Sequence, residues 1–447
     1  MPATWWSGRL ANKGLLRRYL LELKDRLKFS PALRGLLCRK ELWTNRLPGA
    51  DDSQGLARSI ARLCVAARRA PTPALQLRIE ERIGERLRLL DPGRVDWREF
   101  DAKVEDPRVG KAALIKPWIS PREKGVVFFS FEEQWLKILR YANVAAFAER
   151  YHVVVAPTWS PPHHLVNFVF PKAFPGPVFS LISNWKDLDH FPRFAANYVM
   201  VPLFASSWVN PTYYTPAPPD QKNIDLIMVA NFGTYKRHYA LFKALRRMPG
   251  HLRVLLLGQE QDGRTVETLR GEARCYGVED RFDIRCNVSN EELADSVARA
   301  RVSTVLSRRE GSCVVVVESM FAGTPVGLLE TAEIGSKHFI NEHTGRLLRE
   351  RYLAEDLTDF IANAANYRPR RWAEENITCA HSTVVLNGVL RKYALEHGQE
   401  WTQDIALMCW RPDPQVVNPA DCLRLEPARH DLRERFGLIL GSRALLS

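Results

Sequence analysis

The hydrophobic pattern of residues 301–328 predicts a strand, a loop, a helix and a second strand within thirty residues. The run VSTVL (302–306) is apolar and β-branched, which is typical of a buried strand. The polar run SRREGS (307–312) indicates a loop. The segment VVVVESMFAG ends at Gly323, with Pro325 two residues beyond, and this combination marks the end of a helix. The run TPVGLL then predicts the next strand, so the segment has the order of a parallel α/β sheet.

The same alternation extends over much of the chain. Strands are predicted at GVVFFSF (125–131) and YHVVVAPTW (151–159), and a second series begins at IDLIMVANF (224–232). Residues 210–222 hold four prolines and are the best linker candidate. We therefore predict an α/β fold with a helical, basic N-terminal section (1–120), an N-terminal Rossmann-like domain (121–215), a C-terminal Rossmann-like domain (222–380), and a C-terminal helix and tail (381–447).

Positive charge is concentrated at the start of the chain. Residues 1–100 contain 21 Lys and Arg against 11 Asp and Glu, which is +10 of the total of +13. Residues 15–29 place five apolar side chains near one helical face (Leu16, Tyr19, Leu20, Leu23 and Leu27), and Trp5 and Trp6 precede them. The favoured interpretation is a domain helix packed by its leucines. The alternative is a helix lying on an anionic membrane surface. No nucleic-acid motif accompanies the charge, so no nucleic acid is expected as a partner.

Two carboxylates and a helix start make residues 310–318 the candidate for chemistry. Glu310 lies in the predicted loop, and Glu318 lies in the predicted helix, roughly 8 Å along the axis from the helix N-terminus. Between them, Gly311, Ser312 and Cys313 would supply backbone N–H groups that suit a diphosphate. Glu318 could accept hydrogen bonds from sugar hydroxyls.

A family resemblance supports this hypothesis. Glu310, seven residues, then Glu318 followed by SMFAGTPV (319–326) resembles the nucleotide-sugar motif of retaining glycosyltransferases of the GT-B fold (glycosyltransferase family 4, glycosyl transferases group 1). Family members usually have Gly where Cys313 stands. The resemblance implies two Rossmann-like domains with a cleft between them. It also favours a helix for the valine run, which propensity alone would make a strand.

The resemblance further implies an Arg and a Lys after the first strand of the C-terminal domain. Lys236 falls on the Lys position, and Asn231 stands where Arg is usual, so Arg237 or His238 would have to compensate. On this interpretation Glu310 and Lys236 are catalytic, and Glu318, residues 311–313, Asn231 and Arg237 bind the donor. On the acceptor or sugar side, the candidates are His163 and His164, which follow a predicted strand end.

The expectations about metals, cofactors and the cellular compartment rest on weaker sequence signals. Asp187-Leu188-Asp189 has the spacing of a divalent-metal motif, but an acidic turn is the preferred interpretation, and neither a metal nor a cofactor is expected. The eight cysteines form no Cys-x-x-Cys pair, and no signal-peptide pattern is found. A cytoplasmic protein is therefore predicted, with a peripheral position on the inner face of the membrane as the alternative.

These observations predict a hexosyltransferase-type enzyme that moves a sugar from a UDP- or GDP-sugar to a glycan or lipid-linked acceptor, with retention of configuration. The alternative is a non-catalytic GT-B-like subunit that binds a nucleotide or glycan for a partner enzyme.

Overall fold

A computed structural model describes residues 4–411 and 413–441 of the chain; within the first helix, side chains are described for Leu16 and from Arg18 onwards. The side chains of Trp5 and Trp6 therefore lie outside the described residues. In chain order the α-helices are α1 (Thr4–Phe29), α2 (Pro31–Thr44), α3 (Ser53–Arg69), α4 (Pro73–Leu89), α5 (Glu132–Tyr141), α6 (Val144–Arg150), α7 (Leu165–Ala173), α8 (Asp187–Phe194), α9 (His238–Leu245), α10 (Val266–Tyr276), α11 (Asn290–Ala298), α12 (Val315–Phe321), α13 (Leu353–Ala362), α14 (Pro369–Asn376), α15 (Cys379–Glu396) and α16 (Pro419–Phe436).

The strands alternate with these helices through most of the chain. They are β1 (Arg108–Val109), β2 (Ala112–Lys116), β3 (Gly125–Ser130), β4 (Tyr151–Ala156), β5 (Val178–Ser180), β6 (Tyr198–Met200), β7 (Ile224–Val229), β8 (Val254–Gly258), β9 (Asp283–Cys286), β10 (Ala300–Val305), β11 (Val326–Leu329), β12 (Gly345–Leu348), β13 (Met408–Trp410), β14 (Pro414–Val416) and β15 (Ile439–Leu440).

The chain divides into two compact units. The five-stranded unit comprises Pro31–Asn210 and Ile377–Ser447, and the six-stranded unit comprises Met1–Ser30 and Pro211–Asn376. The predicted N-terminal section (residues 1–120) is therefore divided between the two units. Residues 1–30 belong to the six-stranded unit, and residues 31–120 belong to the five-stranded unit. The change of unit near residue 210 lies at the start of the proline-rich segment, where a linker was expected.

The five-stranded unit is built on the sheet β2-β3-β4-β5-β6. Strands β3 to β6 are parallel, and β2 pairs antiparallel with β3. Every residue of β3 and β4 is buried, as expected for strands covered on both faces. Short pairs β1-β15 and β13-β14 complete the unit.

The six-stranded unit has an entirely parallel sheet in the order β12-β11-β10-β7-β8-β9. Numbered within the unit, this order is 6-5-4-1-2-3, which is the Rossmann arrangement. The order reverses between β7 and β10. In such sheets the crevice beyond the carboxyl ends of the two strands at the reversal is where ligands bind.

The segment that sequence analysis singled out has the predicted order of elements. Strand β10, helix α12 and strand β11 follow one another, so the valine run is helical despite its propensity. Gly323 ends the helix with φ +73°, and the N–H of Thr324 donates to the Ser319 carbonyl. A Cβ at Gly323 would meet Cβ of Pro216 at 3.0 Å, so both the backbone conformation and the available space favour glycine here.

The α/β fold class with two Rossmann-like domains, as in GT-B proteins, is confirmed, as is the helical N-terminal section (α1 to α4). The cleft between the two domains stays a prediction. Among residues 4–411 and 413–441, no helix is long and apolar enough to span a bilayer.

The packing expected for the first helix is wrong. Leu16, Tyr19, Leu20 and Leu27 are all exposed, and the helix instead contacts the six-stranded unit through its polar side. The carboxylate of Glu22 accepts a hydrogen bond from Lys243, and Asp25 pairs with Arg237. Arg237 is a buried cation that needs a carboxylate partner, and α1 supplies one through Asp25.

Candidate functional site

Two charged side chains meet at the point where the strand order of the six-stranded sheet reverses. Lys236 lies in the loop that follows β7, and Glu310 lies in the loop that follows β10. Lys236 Nζ is 2.7 Å from Glu310 Oε2, and their side chains are only 12% and 11% exposed. Both residues were predicted from the sequence as site residues, and the fold brings them into contact although they lie 74 positions apart in the chain.

The Lys236–Glu310 pair is largely shielded from solvent. Burial opposes the charge on Lys236, but the Glu310 carboxylate outweighs it and raises the pKa of the ammonium above its ordinary value. The second oxygen of Glu310, Oε1, is buried without a hydrogen-bond partner. A buried acceptor of this kind is costly unless a ligand or a movement satisfies it.

The loop that carries Glu310 is fixed by the segment after β11. The N–H of Glu310 donates to the carbonyl of Glu333 at 3.1 Å, and the N–H of Gly335 donates to the carbonyl of Gly311 at 2.8 Å. Ser336 Oγ donates to the carbonyl of Cys313 at 3.2 Å. These bonds hold the backbone of the candidate site in one conformation.

The helix begins later than the sequence indicated. It starts at Val315 rather than near residue 312, and Cys313 lies before it with φ +52°. The left-handed conformation explains why glycine is usual at this position in the resembling family, since a Cβ is disfavoured there. Burial first, and then the Glu310 carboxylate, raises the pKa of the Cys313 thiol, so the sulfur stays protonated near neutral pH.

The other predicted carboxylate is held by a residue that sequence analysis did not single out. Tyr214 Oη donates to Glu318 Oε1 at 2.9 Å. Arg370, on α14, donates to the carbonyls of Tyr214 and Phe321, both at 2.6 Å, and so ties this tyrosine to the end of α12. No local pattern could have revealed Tyr214, because its partner lies 104 residues away.

The side chains of Asn231 and Arg237 have hydrogen-bond and ion-pair partners other than Glu310. Asn231 shapes its own loop, donating to Tyr235 Oη at 2.8 Å and accepting from the N–H of Gly233 at 3.2 Å. The guanidinium of Arg237 is buried among Asp25, Glu350 and the carbonyl of Leu306. Donor binding by these two residues stays a prediction, and the structure does not place their side chains with Glu310 as it does Lys236.

His238, the other residue considered as a replacement, is buried, and its pKa is lowered to about 3 by burial and then by Arg264, so it carries no charge near neutral pH.

Both candidate histidines belong to the five-stranded unit and have structural partners. His163 is fully buried, with Nε2 at 2.7 Å from Glu80 Oε1. His164 Nδ1 accepts from the N–H of Val166 and so caps α7, and its ring stacks on Trp159. Burial lowers the pKa of His164 to about 4. An acceptor-side role for the two residues stays a prediction.

Asp187-Leu188-Asp189 forms the first turn of helix α8 rather than the acidic turn that was expected. Asp187 accepts hydrogen bonds from the N–H groups of Ser183 and Asn184 at 2.7 and 2.8 Å. Within residues 4–411 and 413–441, no group of three or more His, Cys, Asp or Glu side chains could hold a metal ion.

Part of the six-stranded unit matches a known protein family. Residues 215–376 match the family Glycosyl transferases group 1. The matched residues include Lys236, Glu310 and Glu318, and the match ends at Asn376, the last residue of the six-stranded unit.

A curated relative and two solved structures are similar to parts of the chain. The GDP-mannose:cellobiosyl-diphosphopolyprenol alpha-mannosyltransferase of Komagataeibacter xylinus is 28% identical over 143 residues, or 31% of this chain. That match spans only about a third of the relative's length (35%). Sucrose-phosphate synthase of Thermosynechococcus elongatus has a TM-score of 0.49 at 16% identity, over 61% of this chain and 74% of its own. Anabaena Alr3699/HepE in complex with UDP has a TM-score of 0.49 at 15% identity, over 61% and 79%.

Proposed function

We propose that this protein is a glycosyltransferase that moves a sugar from a nucleotide sugar to a glycan or lipid-linked acceptor, with retention of configuration. The observation that carries the proposal is the contact between Lys236 and Glu310 at the strand reversal of a domain that matches a glycosyltransferase family. A buried cation at that position has the charge that a departing diphosphate requires.

Each residue has a distinct part in the proposed reaction. The bond between the anomeric carbon and the diphosphate oxygen breaks, and Lys236 stabilises the charge that develops on the diphosphate. The acceptor oxygen bonds to the same face of the anomeric carbon, and its proton passes to the departing diphosphate. Glu310 contacts the donor sugar, and Glu318, positioned by Tyr214, accepts hydrogen bonds from the ribose hydroxyls.

The relative suggests which substrates to test first. Its name states a GDP-mannose donor and a diphosphopolyprenol-linked acceptor. We therefore propose GDP-sugars, then UDP-sugars, as donors and a polyprenyl-diphosphate glycan as acceptor. No cofactor beyond this co-substrate is required by the proposed chemistry.

Release of free nucleoside diphosphate from GDP- and UDP-sugars, with and without acceptor, tests the proposal. Wild-type protein should turn over at least one donor, and Lys236→Met should lower kcat/KM by about 10²- to 10³-fold, the usual loss when one stabilising donor is removed. The matched control is Lys392→Met, because Lys392 forms an exposed pair with Glu396 on α15; its activity should equal that of wild type.

A second candidate is a non-catalytic subunit that binds nucleotide or glycan for a partner enzyme. Asn231 favours it, since its amide is engaged with Tyr235 and Gly233 and adds no positive charge. Tight binding of a nucleotide sugar without turnover, in the presence of acceptor, would support this candidate and contradict the first.

A further inference from the structure

The first helix presents its apolar row to solvent. Leu16, Tyr19, Leu20 and Leu27 are 58%, 62%, 52% and 46% exposed. At about 100° per residue these four side chains fall within an arc of about 100°, and the half-buried Leu23 lies inside it. A narrow apolar stripe normally faces the core of a protein, so this orientation needs a partner outside the six-stranded unit.

The opposite side of α1 is already occupied. Asp25, which is about 180° from Leu16, lies 3.3 Å from Arg237 Nη2 and 3.5 Å from Arg308 Nη2. Glu22 Oε2 accepts from Lys243 Nζ at 2.7 Å. These contacts set the rotation of the helix, and they direct the leucines outward.

Basic side chains border the apolar row on both sides. Lys24 and Arg26 are exposed and lie about 80° to either side of Leu16, and exposed Lys28 follows at the end of the helix. Both acids of this segment, Glu22 and Asp25, are on the inner side. Long cationic side chains beside an apolar stripe can keep their charges at the headgroups while the leucines enter the acyl boundary.

Helix α2, which belongs to the five-stranded unit, also has an exposed surface of apolar and basic side chains. On α2, Leu36 is 62% exposed and Trp43 is 84% exposed. Arg39 and Lys40 are exposed beside them. Tryptophan with leucine and basic residues is typical of a surface that lies at a membrane interface.

We propose that the outer face of α1, defined by Leu16, Tyr19, Leu20 and Leu27 with Lys24 and Arg26, docks on an anionic lipid surface. Charge complementarity selects lipid over protein as the occupant, because the face is basic along both edges and has no acid of its own. The inference rests on the proposed function in one respect, that a lipid-linked acceptor is found at such a surface. It also connects docking with the site, since Asp25 pairs with Arg237 and Arg308, which neighbour Lys236 and Glu310.

The experiment measures sedimentation of the full-length protein with vesicles, in the absence of nucleotide sugar. One set contains phosphatidylcholine alone, and the other contains phosphatidylcholine and phosphatidylglycerol in equal parts. Wild-type protein should bind the mixed vesicles, bind phosphatidylcholine weakly, and dissociate as salt rises. Lys24→Glu/Arg26→Glu and Leu20→Ser/Leu27→Ser should each reduce the partition coefficient by about tenfold or more, since the first removes two cations that attract anionic headgroups and the second removes two apolar side chains that enter the acyl boundary.

Matched controls replace single exposed apolar residues elsewhere. Val384→Ser on α15 and Leu423→Ser on α16 change side chains that are 72% and 78% exposed, and they should bind as wild type does. All the replaced side chains are exposed, so thermal unfolding should stay within a few degrees of wild type.

Three outcomes would overturn the docking proposal: wild-type protein that does not bind the mixed vesicles, binding that both double variants retain, or a dimer that Leu20→Ser/Leu27→Ser dissociates while vesicles are not bound. The last outcome would assign the face to a second copy of the chain. Because no donor is present, loss of sugar transfer and loss of lipid binding are measured independently.

Discussion

Replacing Glu310 by Gln should tighten the binding of a free nucleoside diphosphate, although the same change should impair sugar transfer. In the structure Lys236 is paired with Glu310 at 2.7 Å, so a diphosphate that approaches Lys236 must compete with that carboxylate. Glu310→Gln removes the competing charge and leaves Lys236, whose side chain is only 12% exposed, without a counter-ion. Lys236→Met removes the cation and should have the opposite effect.

The size of the effect follows from the contact. A hydrogen bond to a charged group contributes about 1.5–3 kcal/mol. A glutamine amide oxygen at the same place would still accept a weaker hydrogen bond from Lys236, so only part of this energy is lost. We therefore expect Glu310→Gln to lower the Kd for UDP or GDP by about 5- to 20-fold, and Lys236→Met to raise it by about 10- to 100-fold.

Lys236→Met should also lower the free energy of unfolding, and removing the carboxylate as well should restore part of it. Lys236→Met leaves the Glu310 carboxylate buried without a counter-ion, and Oε1 of that residue already has no partner; this should cost about 3 kcal/mol of unfolding free energy. The double variant Lys236→Met/Glu310→Gln removes both charges and should recover about half of the loss.

Isothermal titration with UDP and GDP gives the affinities, and urea unfolding gives the stabilities. The exposed pair on α15 supplies the controls, Lys392→Met and Glu396→Gln, which should change neither quantity by more than a few tenths of a kcal/mol. If Glu310→Gln weakened nucleotide binding as much as Lys236→Met, the competition between carboxylate and diphosphate would be refuted.

Three further changes test other parts of the structure. Tyr214→Phe removes the 2.9 Å hydrogen bond to Glu318 and should raise KM for the nucleotide sugar by about tenfold with a smaller change in kcat; equal falls in kcat and kcat/KM would contradict a ground-state positioning role. Burial lowers the pKa of His152 to about 4, whereas the unfolded chain titrates near 6.5, so between these values only the unfolded state is protonated. Acidification from pH 6.5 to pH 5 should therefore remove about 2 kcal/mol more unfolding free energy from the wild-type protein than from His152→Gln, as measured by urea unfolding at both pH values. Gly323→Ala should lower unfolding free energy by about 1–3 kcal/mol, because φ is +73° and Pro216 lies 3.0 Å from the added Cβ; an unchanged melting temperature would refute the steric argument.

Much of the candidate site was predictable because its signals are local. The spacing of Glu310 and Glu318, the polar loop and the Gly-Thr-Pro helix stop occur within nineteen residues, and they indicated the loop, the helix and the following strand. The prediction that the valine run is helical is confirmed by α12. Where the helix starts was predicted less well, because the left-handed conformation of Cys313 depends on how its loop is pinned by residues 333–336.

The first helix shows the limit of reasoning from periodicity. A stripe of leucines identifies a face, but it does not say whether that face is inside or outside. The structure places it outside because Asp25 and Glu22 meet cations of the six-stranded unit that come from residues 237–308, more than 200 positions away.

By itself the sequence determined what short segments encode: the alternation of strands and helices, the proline-rich segment before the second sheet, and the two carboxylates of the candidate motif. Only the tertiary structure decided the order of the strands, which brings Lys236 beside Glu310 where the sheet reverses, and the pairing of Tyr214 with Glu318. The physical reason is that patterns of burial and capping depend on neighbours a few residues apart, whereas pairing of buried charges depends on which distant loops the folded sheet brings to one edge.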